Sequence, residues 1–449
     1  MIVTLTRKRE FLFLVLILFL TAGLGLLPVQ TILAAEKETK VLTLEDALGI
    51  ALEKNKDIQK AREYRNLVEG RYVEERSAAL PRLQFSGTIV HNRDESQKAY
   101  GFLAQLENQT HSAGIELSQV LYTFGQVGAA IRAAKVGLAT ADDQLRLFRQ
   151  AVMRDVSSSF YDILLVKELY HLSVQTLNQK IRVLDEARRK YAAGIATEYD
   201  VLSAEVAVEN ARPEVIRREN LIRISCDKLR FILGMEGEDV DAEGRLEAPQ
   251  APYPMYEEAV QTAWKRRPEL ADQQKRMAIA QELIKIADAG DKPRVDFKAG
   301  YGWRELILGA DKGNGQAWTA GLFLTFPFFD GLRSRGKVAQ AKSDLATMKL
   351  DEGQLKDSIA LQVRDAVNAY REAGEIIKAL AGTVKQAERL LSMAEKGYEY
   401  GVKTKLDVDD AELNLTQAKT GLARARRDYL VATVNFEWVT GMIGEKKNQ

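Results

Sequence analysis

One feature limits what this chain can fold into more than any other: it is written twice. Leu44-Glu45-Asp46-Ala47-Leu48 opens one helical stretch, and Tyr256-Glu257-Glu258-Ala259-Val260 opens another. At an offset of 212 positions, Ala51 meets Ala263, Ile58 meets Leu270, Pro81-Arg82 meets Pro293-Arg294 and Phe85 meets Phe297. After a stretch of unequal length the register resumes at 207. There Leu117-Ser118 meets Leu324-Thr325, and Leu138-Ala139-Thr140 meets Leu345-Ala346-Thr347. Tyr191, Gly194, Thr197, Asp200, Val201, Ala204 and Glu205 likewise meet Tyr398, Gly401, Thr404, Asp407, Val408, Ala411 and Glu412, and Gly234-Met235 meets Gly441-Met442. Self-similarity held in one register marks a duplicated structural unit of about 200 residues. The expected division is 36–245 for the first unit and 246–449 for the second.

Each unit reads helix, strand, loop, strand, very long helix, tight turn, helix. The prolines respect that order. Pro81 and Pro293 sit where a helix gives way to a strand, Pro249, Pro252 and Pro254 lie between the units, and Pro327 closes the last strand. Only Pro213 falls inside an expected helix, where it predicts a kink. In the second long helix, apolar positions run Val363, Ala366, Tyr370, Ala373, Ile377, Leu380, Val384, Ala387, Leu391, Ala394, Tyr398. Steps of three and four sustained over about five heptads are coiled-coil spacing. The alternating alanines let neighbouring helices approach closely. The first unit repeats the pattern through Met153, Val156, Phe160, Ile163, Tyr170, Val174, Leu177, Ile181, Leu184 and Tyr191, with Lys167 as a flaw. A helix of about 65 residues reaches on the order of 100 Å at about 1.5 Å per residue. Such length suits a conduit or a spacer.

The strands carry the opposite period. Val295, Phe297, Ala299, Tyr301 and Trp303 alternate with polar or small residues, as do Trp318, Ala320, Leu322, Leu324, Phe326 and Phe328. An apolar face with aromatics toward one end fits a membrane barrel, and the expected lipid-facing residues are Phe297, Tyr301, Trp303, Trp318, Leu322, Leu324 and Phe326. A half-buried soluble sheet alternates identically; the long helices beside the strands favour the membrane. Four strands cannot close a barrel, and open edges are not tolerated in lipid, so the chain must associate with other copies.

The first 35 residues read as a secretory signal: Arg7-Lys8-Arg9, an apolar run from Phe11 to Leu27, then Ala34-Ala35 before a charged stretch. The alternative is an uncleaved anchor, because the run is at the short end of what spans a bilayer. Sixty-four lysines and arginines stand against 63 acids, a balance that argues against a nucleic-acid partner. Cys226 is the only cysteine, so no disulfide can form within the chain. His91, His111 and His171 have no metal-ligand spacing, and no metal, cofactor or catalytic constellation is expected. Gly331-Leu332-Arg333-Ser334-Arg335-Gly336-Lys337 imitates a phosphate-binding loop, but Val338 stands where a hydroxyl must hold magnesium. That segment reads as a strand-to-helix turn.

Three pieces together resemble the TolC family of outer-membrane efflux and secretion proteins. They are the Leu44–Ala51 opening, Leu324-Thr325-Phe326-Pro327-Phe328-Phe329-Asp330-Gly331, and the paired Tyr-x-x-Gly-x-x-Thr-x-x-Asp-Val turns at 191–201 and 398–408. The resemblance covers essentially the whole chain after the signal. It implies a mainly helical protein with membrane β structure: a homotrimer with a 12-stranded barrel in the outer membrane and a long α-barrel in the periplasm. It implies a passive exit duct that works with a periplasmic adaptor and an inner-membrane pump or ABC exporter, and performs no catalysis. The turns around Gly194, Thr197, Gly401 and Thr404 would meet the adaptor. The family's gate carries over to Asp200, Tyr398, Lys403, Asp407 and Asp410. Lys403 stands where the best-known member has arginine, and Tyr199 where it has threonine. The competing reading is a coiled-coil adaptor or spacer without a barrel.

Overall fold

The computed structural model describes residues 39–96, 101, 107–248 and 252–444; the expected signal segment lies outside them. Each unit begins with a helix broken in two. In the first unit α1 (Leu44–Lys54) and α2 (Lys56–Ser77) meet at Asn55, whose side chain accepts from the Asp57 and Ile58 amides at 2.9 and 3.1 Å. An asparagine there ends one helix and caps the next. The second unit breaks at Arg267 between α5 (Tyr256–Arg266) and α6 (Pro268–Asp288). Pro268, at the first position of α6, has no amide to satisfy and suits a helix start.

The broken helix is held by the end of the unit. The last helix of each unit stops at a glycine in the left-handed region, Gly234 (φ +70°) and Gly441 (φ +72°). A Cβ on Gly234 would lie 2.4 Å from the Lys54 carbonyl oxygen, and one on Gly441 would lie 3.0 Å from Arg266. Only glycine permits both the conformation and the approach. Two short strands, β1 (Lys40–Leu42) and β4 (Val240–Ala242), add a parallel pair in the first unit. They explain the heptad flaw: Lys167 donates to Asp241 at 2.6 Å and to the Ala242 carbonyl at 2.7 Å.

The long helices, α3 (Gln126–Ala192) and α7 (Arg333–Glu399), have 67 residues each. Their partners are α4 (Glu198–Leu233), which continues through Pro213, and α8 (Lys405–Val439). Apolar packing is spread along this length. Val156, Phe160 and Ile163 join Ile58, Leu229 and Leu233 in one cluster, and Ile359, Val363 and Ala366 join Ala263, Leu270 and Val439 in its counterpart. Nearer the turns, Leu184 packs with Ala204 and Val208, and Ala394 with Val408 and Ala411.

Four strands form one antiparallel sheet: β2 (Arg82–Arg93), β3 (Glu107–Tyr122), β5 (Arg294–Leu308) and β6 (Asp311–Thr325), in the order β2-β3-β5-β6. The central junction, β3 on β5, joins the two units, and β2 and β6 are left as edges. Phe326 lies one residue beyond β6, ahead of Pro327, rather than within the strand as expected. None of the described helices is long and apolar enough to cross a membrane.

Candidate functional site

The two hairpin turns at the far end of the long helices follow one local design. In the first, Gly194 takes φ +74° and its amide donates to Tyr191 O at 2.9 Å, while the Ile195 amide donates to Lys190 O at 2.9 Å. In the second, Gly401 takes φ +71°, its amide donates to Tyr398 O at 3.0 Å, and the Val402 amide donates to Gly397 O at 2.8 Å. These bonds satisfy the final carbonyls of the long helices around a left-handed glycine. The following helices start with reciprocal caps. Thr197 donates from its amide and hydroxyl to Asp200 at 2.8 and 2.7 Å, and Thr404 donates from both groups to Asp407 at 2.8 Å.

These caps settle what the carboxylates do within one chain. Asp407 also accepts from Lys403 Nζ at 3.2 Å. The backbone amide and hydroxyl of Thr404, then Lys403, pull its carboxyl down to about 2. Thr197 holds the Asp200 carboxyl below the usual range in the same way, its amide first. Asp200 has no hydrogen bond or ion pair to Lys403 or Tyr398 among the described residues. The Tyr398 ring lies 5.8 Å from Lys190 Nζ, which itself pairs with Glu186 at 2.7 Å. Asp410 is exposed. Around the turns Ile195, Tyr199, Tyr400, Val402 and Leu406 are also exposed, Val402 by 80 %.

Sequence reasoning missed a contact just behind these turns. Lys180 of α3 reaches Glu412 of α8 at 3.2 Å and Asp409 at 3.5 Å, and Gln179 donates to the same Glu412. Glu412 is nearly buried. Further pairs continue the seam between the units: Asp162 with Arg427 at 2.7 Å, Arg132 with Glu282 at 2.8 Å, and buried Asp143 with Lys275. No spacing in the sequence signals these contacts, since the partners across the seam are far apart in the chain.

At the opposite end, the pairing register sorts the sheet into two faces. One carries Leu83, Phe85, Ile89, Ile115, Leu117, Phe297, Tyr301, Trp303, Trp318, Leu322 and Leu324. The other carries Gln84, Ser86, Thr88, Glu116, Lys298, Gly300, Gly302, Thr319 and Gly321. Beyond Trp303 the apolar face turns polar. Glu305 accepts from Lys312 at 2.6 Å and lies 2.9 Å from His111 Nδ1. Among the described residues, no group of histidine, cysteine and acidic side chains could hold a metal ion. Cys226 is half-buried, and burial first, then Asp241, pushes its thiol up to about 11, so no reactive thiolate forms there.

The outer membrane efflux protein family matches residues 47–235 and again 259–441, one match to each unit. The chain belongs to that family. Among curated relatives of the outer membrane efflux proteins, nodulation protein T of Rhizobium leguminosarum bv. trifolii is 24 % identical over 86 % of this chain and 83 % of its own length. Outer membrane protein TolC of Escherichia coli is 22 % identical over 87 % of this chain and 80 % of its own. The solved CmeC outer membrane channel of Campylobacter jejuni shares the fold at a TM-score of 0.78, with 15 % identity, over 89 % of this chain and 85 % of that one. As an outer membrane efflux protein the chain is a transport channel of the outer membrane, with a helical part and a β domain. The reading as a helical spacer without a membrane barrel is set aside.

Proposed function

We propose that the chain works as a homotrimeric exit duct, with four strands from each copy closing a 12-stranded barrel. The observation that carries this is the sheet with one apolar, exposed face and two unpaired edges. In hydrocarbon each unsatisfied edge amide or carbonyl costs several kcal/mol, so the edges must find strands of other copies. Phe297, Tyr301, Trp303, Trp318, Leu322, Leu324 and, beyond β6, Phe326 then face lipid. The helical walls support the same closure. The ion-paired seam of α3 with α6 and α8 joins unit one to unit two, and the equivalent surface of α7 exposes Leu350, Leu361 and Met393. That surface meets α2 and α4 of the next copy, where Leu67, Val73, Ile216 and Phe231 are exposed.

At the tips, Asp200, Tyr398, Lys403, Asp407 and Asp410 form the gate, with six carboxylates of Asp407 and Asp410 around the threefold axis. The exposed apolar residues around Gly194, Thr197, Gly401 and Thr404 dock a periplasmic adaptor, which couples the duct to an inner-membrane pump or ABC exporter. Relatives named for efflux support this coupling. Mass measurement of the detergent-extracted protein tests the assembly. Three copies per particle are expected, and a stable monomer or dimer overturns the reading.

A further inference from the structure

The internal duplication gives a way to locate how one copy pairs with the next, strand against strand. The offsets of 212 for the first strand of a unit and 207 for the second can be checked inside the chain. In the first hairpin Arg82 pairs with Ser118 and Leu83 with Leu117. Adding the offsets gives Arg294 with Thr325 and Val295 with Leu324, and these are the pairs found in the second hairpin. The repeat therefore carries one hairpin onto the other without slipping a residue.

The central junction is the same kind of contact that closure needs: second strand of one unit against first strand of the next. There Ile115 pairs with Tyr301, Ala113 with Trp303, His111 with Glu305 and Gln119 with Phe297. Applying the repeat once more moves β3 to β6 and β5 to β2, now of a neighbouring copy. Resting on the trimer proposed above, we infer that β6 pairs with the neighbour's β2 in the register that sets Leu322 opposite Ile89. The same register sets Ala320 opposite His91, Trp318 opposite Arg93 and Phe326 opposite Phe85.

Three observations agree with this register. Every pair joins residues of the same face, whereas a slip of one would turn the whole apolar set toward the lumen. The residues it covers are among the most exposed apolar side chains in the chain: Ile89 at 82 %, Phe85 at 73 %, Trp318 at 74 % and Leu322 at 69 %. Phe326, stranded one residue past β6 in the single chain, gains a cross-strand aromatic partner in Phe85. Its counterpart in the central junction, Gln119, already pairs with Phe297.

The two junctions then differ in chemistry at one height. Where the central junction joins His111 to Glu305, the closing junction sets the Trp318 indole against the Arg93 guanidinium. Within its own chain Arg93 is held at the edge by Glu107 and Glu95, each at 3.1 Å. An arginine fixed at an edge beside an exposed indole is placed for a cation–π contact. The closing seam thus holds by stacking on an aromatic, while the internal seam holds by a histidine–carboxylate contact.

The test uses full-length protein in isolated outer membranes, with Cys226→Ser removing the native thiol. Leu322→Cys is combined in turn with Gly87→Cys, Ile89→Cys or His91→Cys, and each pair is treated with a short thiol-specific cross-linker. Covalent ladders reaching three copies should form several-fold faster for the pair with Ile89→Cys than for either neighbour. Trimers that cross-link best through Gly87→Cys or His91→Cys, or through none of the three, overturn the register and leave the assembly standing. Absence of trimers in the unsubstituted protein overturns the assembly itself.

Discussion

Lys180 and Glu412 stand 3.2 Å apart across the seam between the two units, with Lys180 on α3 and Glu412 on α8. The carboxylate is nearly enclosed and takes a second bond from Gln179. Removing the cation leaves a poorly solvated charge with one neutral donor, a loss on the order of 1–3 kcal/mol. Lys180→Ala should therefore free the α7–α8 hairpin from α3 near the tip, raising single-channel conductance in planar bilayers. Lys180→Arg, which keeps the charge, should leave conductance near its original value. Equal conductance in all three proteins would show that this seam does not restrain the tip.

The acids of the second turn should act unequally. Asp407 is spent on Thr404 and Lys403 in its own chain, whereas Asp410 is exposed. Asp410→Asn should remove more cation preference than Asp407→Asn, and the double variant most of all, as read from reversal potentials in a salt gradient. Unchanged selectivity in the double variant would leave the tip without an electrostatic gate.

The pH response of that turn follows from the direction of the Asp407 shift. Its folded-state value, about 2, lies below the usual 3.8. A depressed carboxyl stabilises the fold above its unfolded value and loses that contribution as pH falls through the folded one. The start of α8 should therefore stay capped down to about pH 4 and fray progressively toward pH 2. Hydrogen exchange at the Thr404 and Asp407 amides should show protection falling in that window. Asp407→Asn should flatten the response; protection that persists unchanged at pH 2 would contradict the assignment.

On the sheet, Leu322→Arg should destabilise assembled trimers by roughly 2–4 kcal/mol, as for a charge placed on the lipid face near the midplane. Thr325→Arg, three positions along the strand and on the other face, should be far milder. Equal yields of assembled protein from the two variants would mean the faces are reversed.

Much of the architecture could be read directly from residue spacing, because both periods are local. Steps of three and four from Val363 to Tyr398 specify a helix seam, and alternation from Val295 to Trp303 specifies a strand. The Thr404–Asp407 cap was implicit in its spacing of three. What escaped reading depends on partners distant in the chain. Lys167 looked like a flaw because its acceptor, Asp241, sits on a strand of three residues, too short to show a period. Lys180 gave no sign of Glu412 for the same reason: an ion pair across a seam leaves no periodic trace. The break in the opening helix was hidden by its two solutions, an asparagine cap at Asn55 and a proline start after Arg267.

The equal length of the two long helices, 67 residues each, governs how this protein can change size. Deleting one residue from α3 alone would turn everything beyond it by about 100° and draw one turn back by about 1.5 Å. The tips of the two units would no longer be level, and the seams past the deletion would face the wrong neighbours. Growth or shortening is tolerated only in steps of seven, taken in α3 and α7 together and matched in α4 and α8, so that the seam returns to the same side. Evolution must therefore adjust the reach of this duct in quanta of about 10 Å, written simultaneously into four separate places in the gene.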